Sequence, residues 1–493
     1  MTEINNTGYK ISKHLVFLER GADELLLVNT YECKPLLISR GRECVKKLLQ
    51  AMEGLNRAAA SEKFPNDIAL FDLFTEHHIL IPADKQECDE RQDFFPDGQL
   101  QPQGISLYLL LAQSCNMACT YCLNGAKTYK KEKIIQMDEK VAFHAVEYFV
   151  KQLVSGGQIE VCLFGGEPLL NWELGKKVFQ YCEEKLKPQY PDKHIVYAIT
   201  SNLSILPDDF IDVAKKYSVS VLCDIDGPAT LHNQTRPLIN GGPSYEQIAG
   251  HVKKLIAAGI RVSLRTTVTS VNVGHISEIA KHHKALKGAG CAFVPVNPVN
   301  SDEQLLPDDL LPDMGVMLRG ITAAYKAGIW DKTKLLPFSI YASKLIPGNR
   351  SVLGCGAPYG NTPVVTAESD VYPCIYLVGI EKYNLGNLMD GTYPKLEVLR
   401  SMAEDYQVEH RVDCKNCNWR YACGGGCLVG PLTIKGREDA TPAVKQYGED
   451  INCRYTKEIL EEILWQMALE TKEKVRKNEM SPVSDKGTRM NFC

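Results

Sequence analysis

From residue 105 onward the sequence alternates short apolar runs with amphipathic segments, and this alternation constrains the fold more than any other feature. The runs at 105–111, 159–164, 194–200, 219–225, 260–267 and 291–297 are strand-length and bounded by turn residues, so they read as buried strands. Between them, 137–154, 171–186, 207–217, 244–258 and 273–286 carry apolar residues at helical spacing. Six β/α units in succession predict an α/β fold, a mostly parallel sheet with helices outside it, built as an open sheet or an incomplete barrel. In such sheets the chemistry sits at the C-terminal ends of the strands.

The flanking segments have other patterns. Residues 14–30 read as a hairpin, with Leu15, Val16 and Phe17 on one arm and Leu25, Leu26, Leu27 and Val28 on the other. Residues 38–52 place Val45, Leu48, Leu49 and Met52 at helical spacing, and 68–74 lead into a strand-like 78–81. Together they predict a winged-helix-like module over 1–82. A polar, proline-containing linker over 83–103 follows, then the β/α region over 104–300 and a helical bridge over 301–354. A cysteine-dense, glycine-rich region over 355–455 and a C-terminal helix and tail over 456–493 complete the chain.

Composition narrows the function classes. A net charge of −4, from 56 basic and 60 acidic residues, makes no basic field for nucleic acid. No apolar run is long enough to span a bilayer and the N-terminus is polar, so a cytoplasmic protein is expected. Eighteen cysteines in such a chain point to metal or redox chemistry rather than disulfides.

The first β/α strand runs into Cys115-Asn-Met-Ala-Cys119-Thr-Tyr-Cys122, which puts three thiols on one loop at the active end of the sheet. Three thiolates leave one iron of a four-iron cluster open to a small-molecule ligand, whereas a zinc loop is the competing use of such cysteines. After the second strand stands Gly165-Gly166-Glu167-Pro168, after the third Thr200-Ser201-Asn202, and after the fourth Asp224-Ile-Asp226-Gly227, with Arg236 further on. These motifs, in this register, resemble the radical S-adenosylmethionine (radical SAM) superfamily. The resemblance implies a cluster on Cys115, Cys119 and Cys122 that chelates the cosubstrate's methionyl amine and carboxylate. It implies that Glu167 contacts the methionyl ammonium while Gly165 and Gly166, ahead of Pro168, allow close backbone approach. By the same resemblance Ser201 and Asn202 face the ribose or carboxylate, Asp226 lines the substrate side and Arg236 pairs with the carboxylate. Tyr121 resembles the aromatic residue near the adenine.

A second constellation comprises Cys355, Cys374, Cys414, Cys417, Cys423, Cys427 and Cys453. Seven cysteines exceed one tetrahedral zinc site. Following a radical SAM barrel, CxxCx5CxxxC with a trailing cysteine resembles the SPASM extension, as do Val371-Tyr-Pro-Cys374 and Leu385-Gly-Asn-Leu388; Ser369 replaces that extension's usual glycine. The resemblance implies two auxiliary clusters: a distal one on Cys414, Cys417, Cys423 and Cys453, and a nearer one on Cys355, Cys374 and Cys427. Three 4Fe-4S clusters and S-adenosyl-L-methionine are thus the expected cofactors. Sulfatase-maturing relatives carry an extra cysteine shortly after the first, whereas this chain has Asn361 in that neighbourhood, so the nearer cluster is expected to keep an open iron able to bind a substrate thiolate.

The N-terminal module resembles the PqqD-like leader-recognition element of peptide-modifying radical enzymes, which adds a leader as a strand to its sheet edge. The whole reading is a partial (β/α)6 TIM-like barrel with a PqqD-like winged-helix module and a SPASM domain. Its implied activity is that of a peptide (RiPP) maturase of the sactipeptide or ranthipeptide type, an oxidoreductase that forms Cys-sulfur-to-carbon thioethers in a ribosomally made precursor through a 5'-deoxyadenosyl radical. The implied partners are that precursor, with its leader on the N-terminal domain, and a reductant such as flavodoxin or ferredoxin; no nucleic acid or membrane is expected. The alternatives are carbon-carbon or ether crosslinking, formylglycine formation as in anaerobic sulfatase maturation, and a zinc-organised peptide-binding scaffold. The remaining cysteines, among them Cys33, Cys162, Cys182, Cys223 and Cys291, read as small hydrophobes, and Cys493 as an incidental terminal thiol. The pairs His77-His78 and His282-His283 read as surface or edge residues.

Overall fold

The structure, a computed structural model, describes residues 7–39, 41–88, 95, 100–123, 135–300, 303–434 and 436–476. Cys493 and the tail therefore lie outside the described residues, as do parts of the expected linker.

The N-terminal region opens with β1 (Tyr9–Ile11), followed by β2 (Leu15–Arg20), β3 (Glu24–Asn29) and β4 (Lys34–Ile38). Then come α1 (Arg42–Met52), α2 (Arg57–Lys63), α3 (Ile68–Glu76) and β5 (Leu80–Pro82). Strands β2, β3 and β4 form an antiparallel sheet in that order, and β1 pairs with β5. The expected hairpin is present. The expected helix from residue 38 instead begins at Arg42, because Lys34–Ile38 pairs with β3 and Gly41, at φ 70°, breaks the chain between strand and helix. Strand β3 explains its unbroken apolar run: Leu25 and Leu27 pack on the module's helices, whereas Leu26 and Val28 join a core with the C-terminal helix. The first part of the expected linker is not free either. Buried Glu87 accepts hydrogen bonds from Ser12 Oγ (2.6 Å) and the Lys13 N–H (3.2 Å), strapping 83–88 onto the module.

The β/α region follows its periodicity closely. It comprises β6 (Gly104–Ala112), α4 (Glu139–Gln152), β7 (Gln158–Gly165), α5 (Trp172–Tyr181), β8 (His194–Ser201), α6 (Phe210–Lys216) and β9 (Ser220–Asp224). It continues with α7 (Ala229–Thr235), α8 (Tyr245–Ala257), β10 (Val262–Val268), α9 (Ile276–Ala285) and β11 (Cys291–Pro295). Strands β6 to β11 are parallel and adjacent in chain order. Residues from the ends of β7 to β11 and from the loop after β6 line one cavity, which a sheet does only when it curves. The arrangement is the mixed α/β, central-parallel-sheet fold of a partial barrel.

Two additions escaped the sequence pattern. After α10 (Met314–Lys326), β12 (Leu335–Leu336) extends the sheet beyond β11, and α11 (Phe338–Lys344) follows. On the other side, β13 (Val364–Val365) pairs in parallel with Tyr108 and Leu109, and β14 (Val371–Tyr372) pairs with β13. Two-residue strands carry no periodicity and exist only through long-range pairing. The cysteine-dense region is thereby joined to the barrel's first strand. A long helix, α12 (Tyr455–Arg476), ends the described chain and packs on α10 and α11. Among the described residues no helix is long and apolar enough to cross a membrane.

The second histidine pair needs correction. His283 is fully buried, with Nε2 2.9 Å from Thr266 Oγ1, and burial pushes its pKa down to about 3. It shares the inward face of α9 with Ile276, Ile279 and Ala280, a spacing visible in the sequence. His282 Nε2 lies 2.6 Å from the Tyr245 hydroxyl.

Candidate active site

Strand β6 ends with a register irregularity between Leu110 and Ala112, and the chain then enters the three-cysteine loop. That loop is zipped to the segment after α7: Ala118 N–H donates to Pro237 O (2.9 Å), Thr120 N–H to Thr235 O (3.0 Å) and Ile239 N–H to Asn116 O (3.1 Å). Its other side meets the glycine pair. Gly166 N–H donates to Ala112 O (2.8 Å) and Glu167 N–H to Ser114 O (2.9 Å). A Cβ on Gly165 would sit 2.2 Å from Ala112 O and one on Gly166 2.3 Å from Ser114 O, so the loop approaches this closely only because neither residue has a side chain.

One cavity of about 940 Å³, its mouth included, opens at these strand ends. Its wall brings together Cys115, Cys119, Cys122 and Tyr121 with Gly165, Gly166, Ser201, Asn202 and Arg236. Three expected members stand off the wall. Pro168 opens a short 3-10 helix. Glu167 is fully buried and accepts from Ser201 Oγ (2.8 Å), Asn202 N–H (2.8 Å) and Leu169 N–H (3.0 Å). Burial pushes its pKa up to about 7 against those hydrogen bonds. This carboxylate ties the β7 turn to the β8 turn.

Asp226 also stands off the cavity wall. Fully buried, it accepts from the Tyr121 hydroxyl (2.6 Å), Thr235 Oγ1 (2.8 Å) and Thr267 N–H (3.1 Å). The cavity carboxylate is Asp224, two residues earlier, held by Arg265 with Nη2 at 2.8 Å and by Arg236 at 3.8 Å. Burial alone would raise its pKa, and the two guanidinium groups more than offset that, holding it below the usual carboxylate range. Arg265 and Thr267 were legible as the polar members of an alternating strand, Ser263, Arg265 and Thr267, whose other face, Val262, Leu264, Thr266 and Val268, is buried.

The donor set suits a cluster and a zwitterionic cosubstrate. Cys115 Sγ accepts from Met117 N–H (3.4 Å) and Asn202 Nδ2 (3.5 Å), the outer contacts that orient a ligating thiolate. Burial pushes the Cys115 and Cys119 thiols up to about 12, so it is metal ligation that would make them thiolates. Arg236 donates from Nη1 to the Tyr121 hydroxyl (2.9 Å), while its buried Nε has no protein acceptor and is fitted to a ligand carboxylate.

The seven C-terminal cysteines fall into two sets. The thiols of Cys355, Cys374 and Cys427 act electrostatically on one another, and those of Cys414, Cys417, Cys423 and Cys453 do likewise. Among the described residues no three His, Cys, Asp or Glu side chains are disposed to hold a single metal ion; a four-iron cluster is a larger body with thiolates at its corners. Ile375 and Tyr376, directly after Cys374, lie on the active-cavity wall, and Tyr376 stands close enough to Arg265, Cys427 and Cys374 to feel their charge. The cavity thus borders the nearer set. Ser369, where the SPASM pattern has glycine, adopts φ 71° and is held by a bond from its Oγ to Asn387 Oδ1 at 2.5 Å.

Residues 109–283 match the profile of the Radical SAM superfamily. An uncharacterised protein of Methanocaldococcus jannaschii is 27% identical over 296 residues, covering 60% of this chain and 92% of its own. The cysteine-type anaerobic sulfatase-maturating enzyme of Clostridium novyi is 25% identical over 338 residues, 66% of this chain and 88% of that enzyme. Among solved structures, native anSMEcpe with bound AdoMet and the Cp18Cys peptide superposes with a TM-score of 0.59 at 19% identity, over 75% of this chain and 99% of that one. The chain carries a radical SAM domain over those matched residues, and the cofactors of such a domain are a 4Fe-4S cluster and S-adenosylmethionine.

Proposed function

We infer that this protein is a radical SAM peptide maturase that joins a cysteine sulfur to a carbon within a ribosomally made precursor. The observation that carries the reading is the continuity of one cavity from the Cys115 loop to Ile375 and Tyr376, beside the Cys355, Cys374 and Cys427 set. When bound, the cluster and cosubstrate supply a 5'-deoxyadenosyl radical that removes a hydrogen atom from the peptide. Cys115, Cys119 and Cys122 would hold that cluster, Arg236 the cosubstrate carboxylate, and Ser201 and Asn202 its polar edge. Glu167 and Asp226 act behind the wall, fixing the turns that carry those groups. Tyr121, tied to both Asp226 and Arg236, keeps the guanidinium aimed at the cavity.

Thioether formation breaks one C–H and one S–H bond and makes one C–S bond. The first hydrogen leaves as an atom, and the second as a proton plus an electron. Among the described residues the cavity offers no free carboxylate or imidazole to take that proton, because Asp224, the carboxylate on its wall, is engaged by two arginines. A reaction whose thiol is already ionised by metal ligation fits this wall best, and Cys355, Cys374 and Cys427, three thiols for a four-iron site, would hold the group that ionises it. The same group would accept the electron. The N-terminal sheet is proposed as the leader-docking element.

A second reading, formylglycine formation, is favoured by the resemblance to the Clostridium novyi enzyme. Incubating the reconstituted protein with cysteine-containing precursor peptides separates the two. Loss of two hydrogens together with loss of an alkylatable thiol supports the thioether; a hydrazide-reactive aldehyde, or a mass loss with the thiol intact, refutes it. Cys119→Ala is expected to abolish 5'-deoxyadenosine release.

A further inference from the structure

Lys344, the last residue of α11, is a buried cation without a carboxylate partner. The residue is 9% exposed, and among the described residues no acidic group lies within ion-pair distance of it. The Nζ donates to Gly354 O (3.0 Å), the carbonyl just before Cys355, and to Cys423 O (2.8 Å). The loops it joins belong to both sets, through the carbonyl beside Cys355 of the nearer one and that of Cys423 of the distal one, and the thiols of Cys355, Cys423 and Cys427 act on its charge. The two loops it joins are in backbone contact. A Cβ on Gly354 would stand 1.9 Å from Gly426 O, and one on Gly424 3.0 Å from Gly354 Cα.

A buried ammonium is costly unless an anion answers it, and two carbonyl oxygens supply only dipoles. Thiolates ligating metal are the anions within reach. Lys457 shows the contrast: the thiols that act on its charge, Cys417 and Cys453, are both of the distal set.

We propose that Lys344 is the shared counter-cation of the two auxiliary centres, pinning the Cys355 and Cys423–Cys427 loops together and holding the reduction potentials of both centres up. The inference rests on the auxiliary-cluster reading above. A positive charge beside a centre that gains an electron stabilises its reduced form, and at one site it acts on two centres together. Lys344 is a positioning residue; it does not reach the active cavity wall.

The test uses full-length, reconstituted protein in a Cys115→Ala, Cys119→Ala, Cys122→Ala background, where only auxiliary signals remain, and reads the midpoint potential of each reduced cluster by electron paramagnetic resonance. Lys344→Gln keeps a hydrogen-bond donor and removes the charge. It is expected to lower both potentials by at least a tenfold change in the reduction equilibrium, about 59 mV for one electron. Lys344→Arg is expected to restore them, and Lys457→Gln to move one signal only. Unchanged potentials in Lys344→Gln, with a full iron complement, overturn the role of Lys344 and leave the clusters standing. About four irons per wild-type chain, in place of about twelve, would overturn the auxiliary-cluster reading itself. If Lys344→Gln folds by circular dichroism but does not load iron, loading by Lys344→Arg supports the charge-dependent pinning, and its failure refutes it.

Discussion

Replacing Gly166 by alanine tests the contact on which the active site is built. The added Cβ would lie 2.3 Å from Ser114 O, 2.7 Å from Ser114 C and 3.1 Å from Gln113 O. Ordinary contact at the carbonyl oxygen requires roughly 1 Å more, and all three atoms are backbone, so no side chain can swing aside. Two hydrogen bonds, Gly166 N–H to Ala112 O and Glu167 N–H to Ser114 O, oppose the separation. Overpacking of this kind costs about 1–3 kcal/mol. The shift falls one residue before Cys115, where a displacement of about 1 Å is worth on the order of 100-fold in rate. Gly166→Ala is therefore expected to lower iron loading on the Cys115 loop and to cut 5'-deoxyadenosine release about 100-fold, with a modest fall in melting temperature. Gly250→Ala is the control: nothing lies within 4 Å of its added Cβ, on the exposed side of α8, and removing a helical glycine is expected to stabilise by about 0.5–1 kcal/mol. Wild-type loading and release in Gly166→Ala would refute the close-approach argument.

Other outcomes follow from the same geometry. Arg265→Met leaves Asp224, 14% exposed on the cavity wall, with Arg236 alone at 3.8 Å, which is expected to cost about 1–3 kcal/mol by denaturant unfolding. Adding Asp224→Asn should recover much of that loss, and strict additivity of the two changes would disprove the pairing. Tyr421 packs against His14 and Tyr31 at ring distances of 5.1 and 4.9 Å, and neighbouring Asn418 donates to Leu15 O at 2.8 Å. Tyr421→Ala is expected to cost about 3–5 kcal/mol and to expose the segment near Glu87 to protease, whereas unchanged proteolysis would show that the N-terminal module is not seated there. Burial, then Arg420, pushes the pKa of His14 down to about 4. A base whose folded value is depressed contributes stability that is complete above its unfolded value of about 6.5 and fades as pH falls toward 4, at most about 3 kcal/mol. Acid should thus release the module before the barrel melts, and His14→Gln should remove that early phase.

Much of the fold and half of the site were legible in the chain. The six strands and their helices appear within a few residues of their periodic segments, because an amphipathic period reports burial directly. The cysteines, Gly165, Gly166, Ser201, Asn202 and Arg236 meet at one cavity because all follow strand ends of a parallel sheet. The protein partners of Glu167 and Asp226 were not legible, because a carboxylate at a strand end can face the cavity or turn back to cap its neighbours, and only the surrounding N–H and O–H donors decide which.

Local pattern thus determined the secondary structure and the candidate metal-ligating cysteines, since each depends on spacing within one segment. Tertiary structure decided what distant segments do to one another. It set Asp224 rather than Asp226 on the wall, paired Val364 and Val365 with the first barrel strand, and divided seven cysteines into two sets with Lys344 between them. It also buried the second face of β3 against the C-terminal helix, making residues 1–82 part of a shared core. Contacts between segments hundreds of residues apart are selected by packing and by satisfaction of buried polar groups in the whole molecule, which no single stretch of chain encodes.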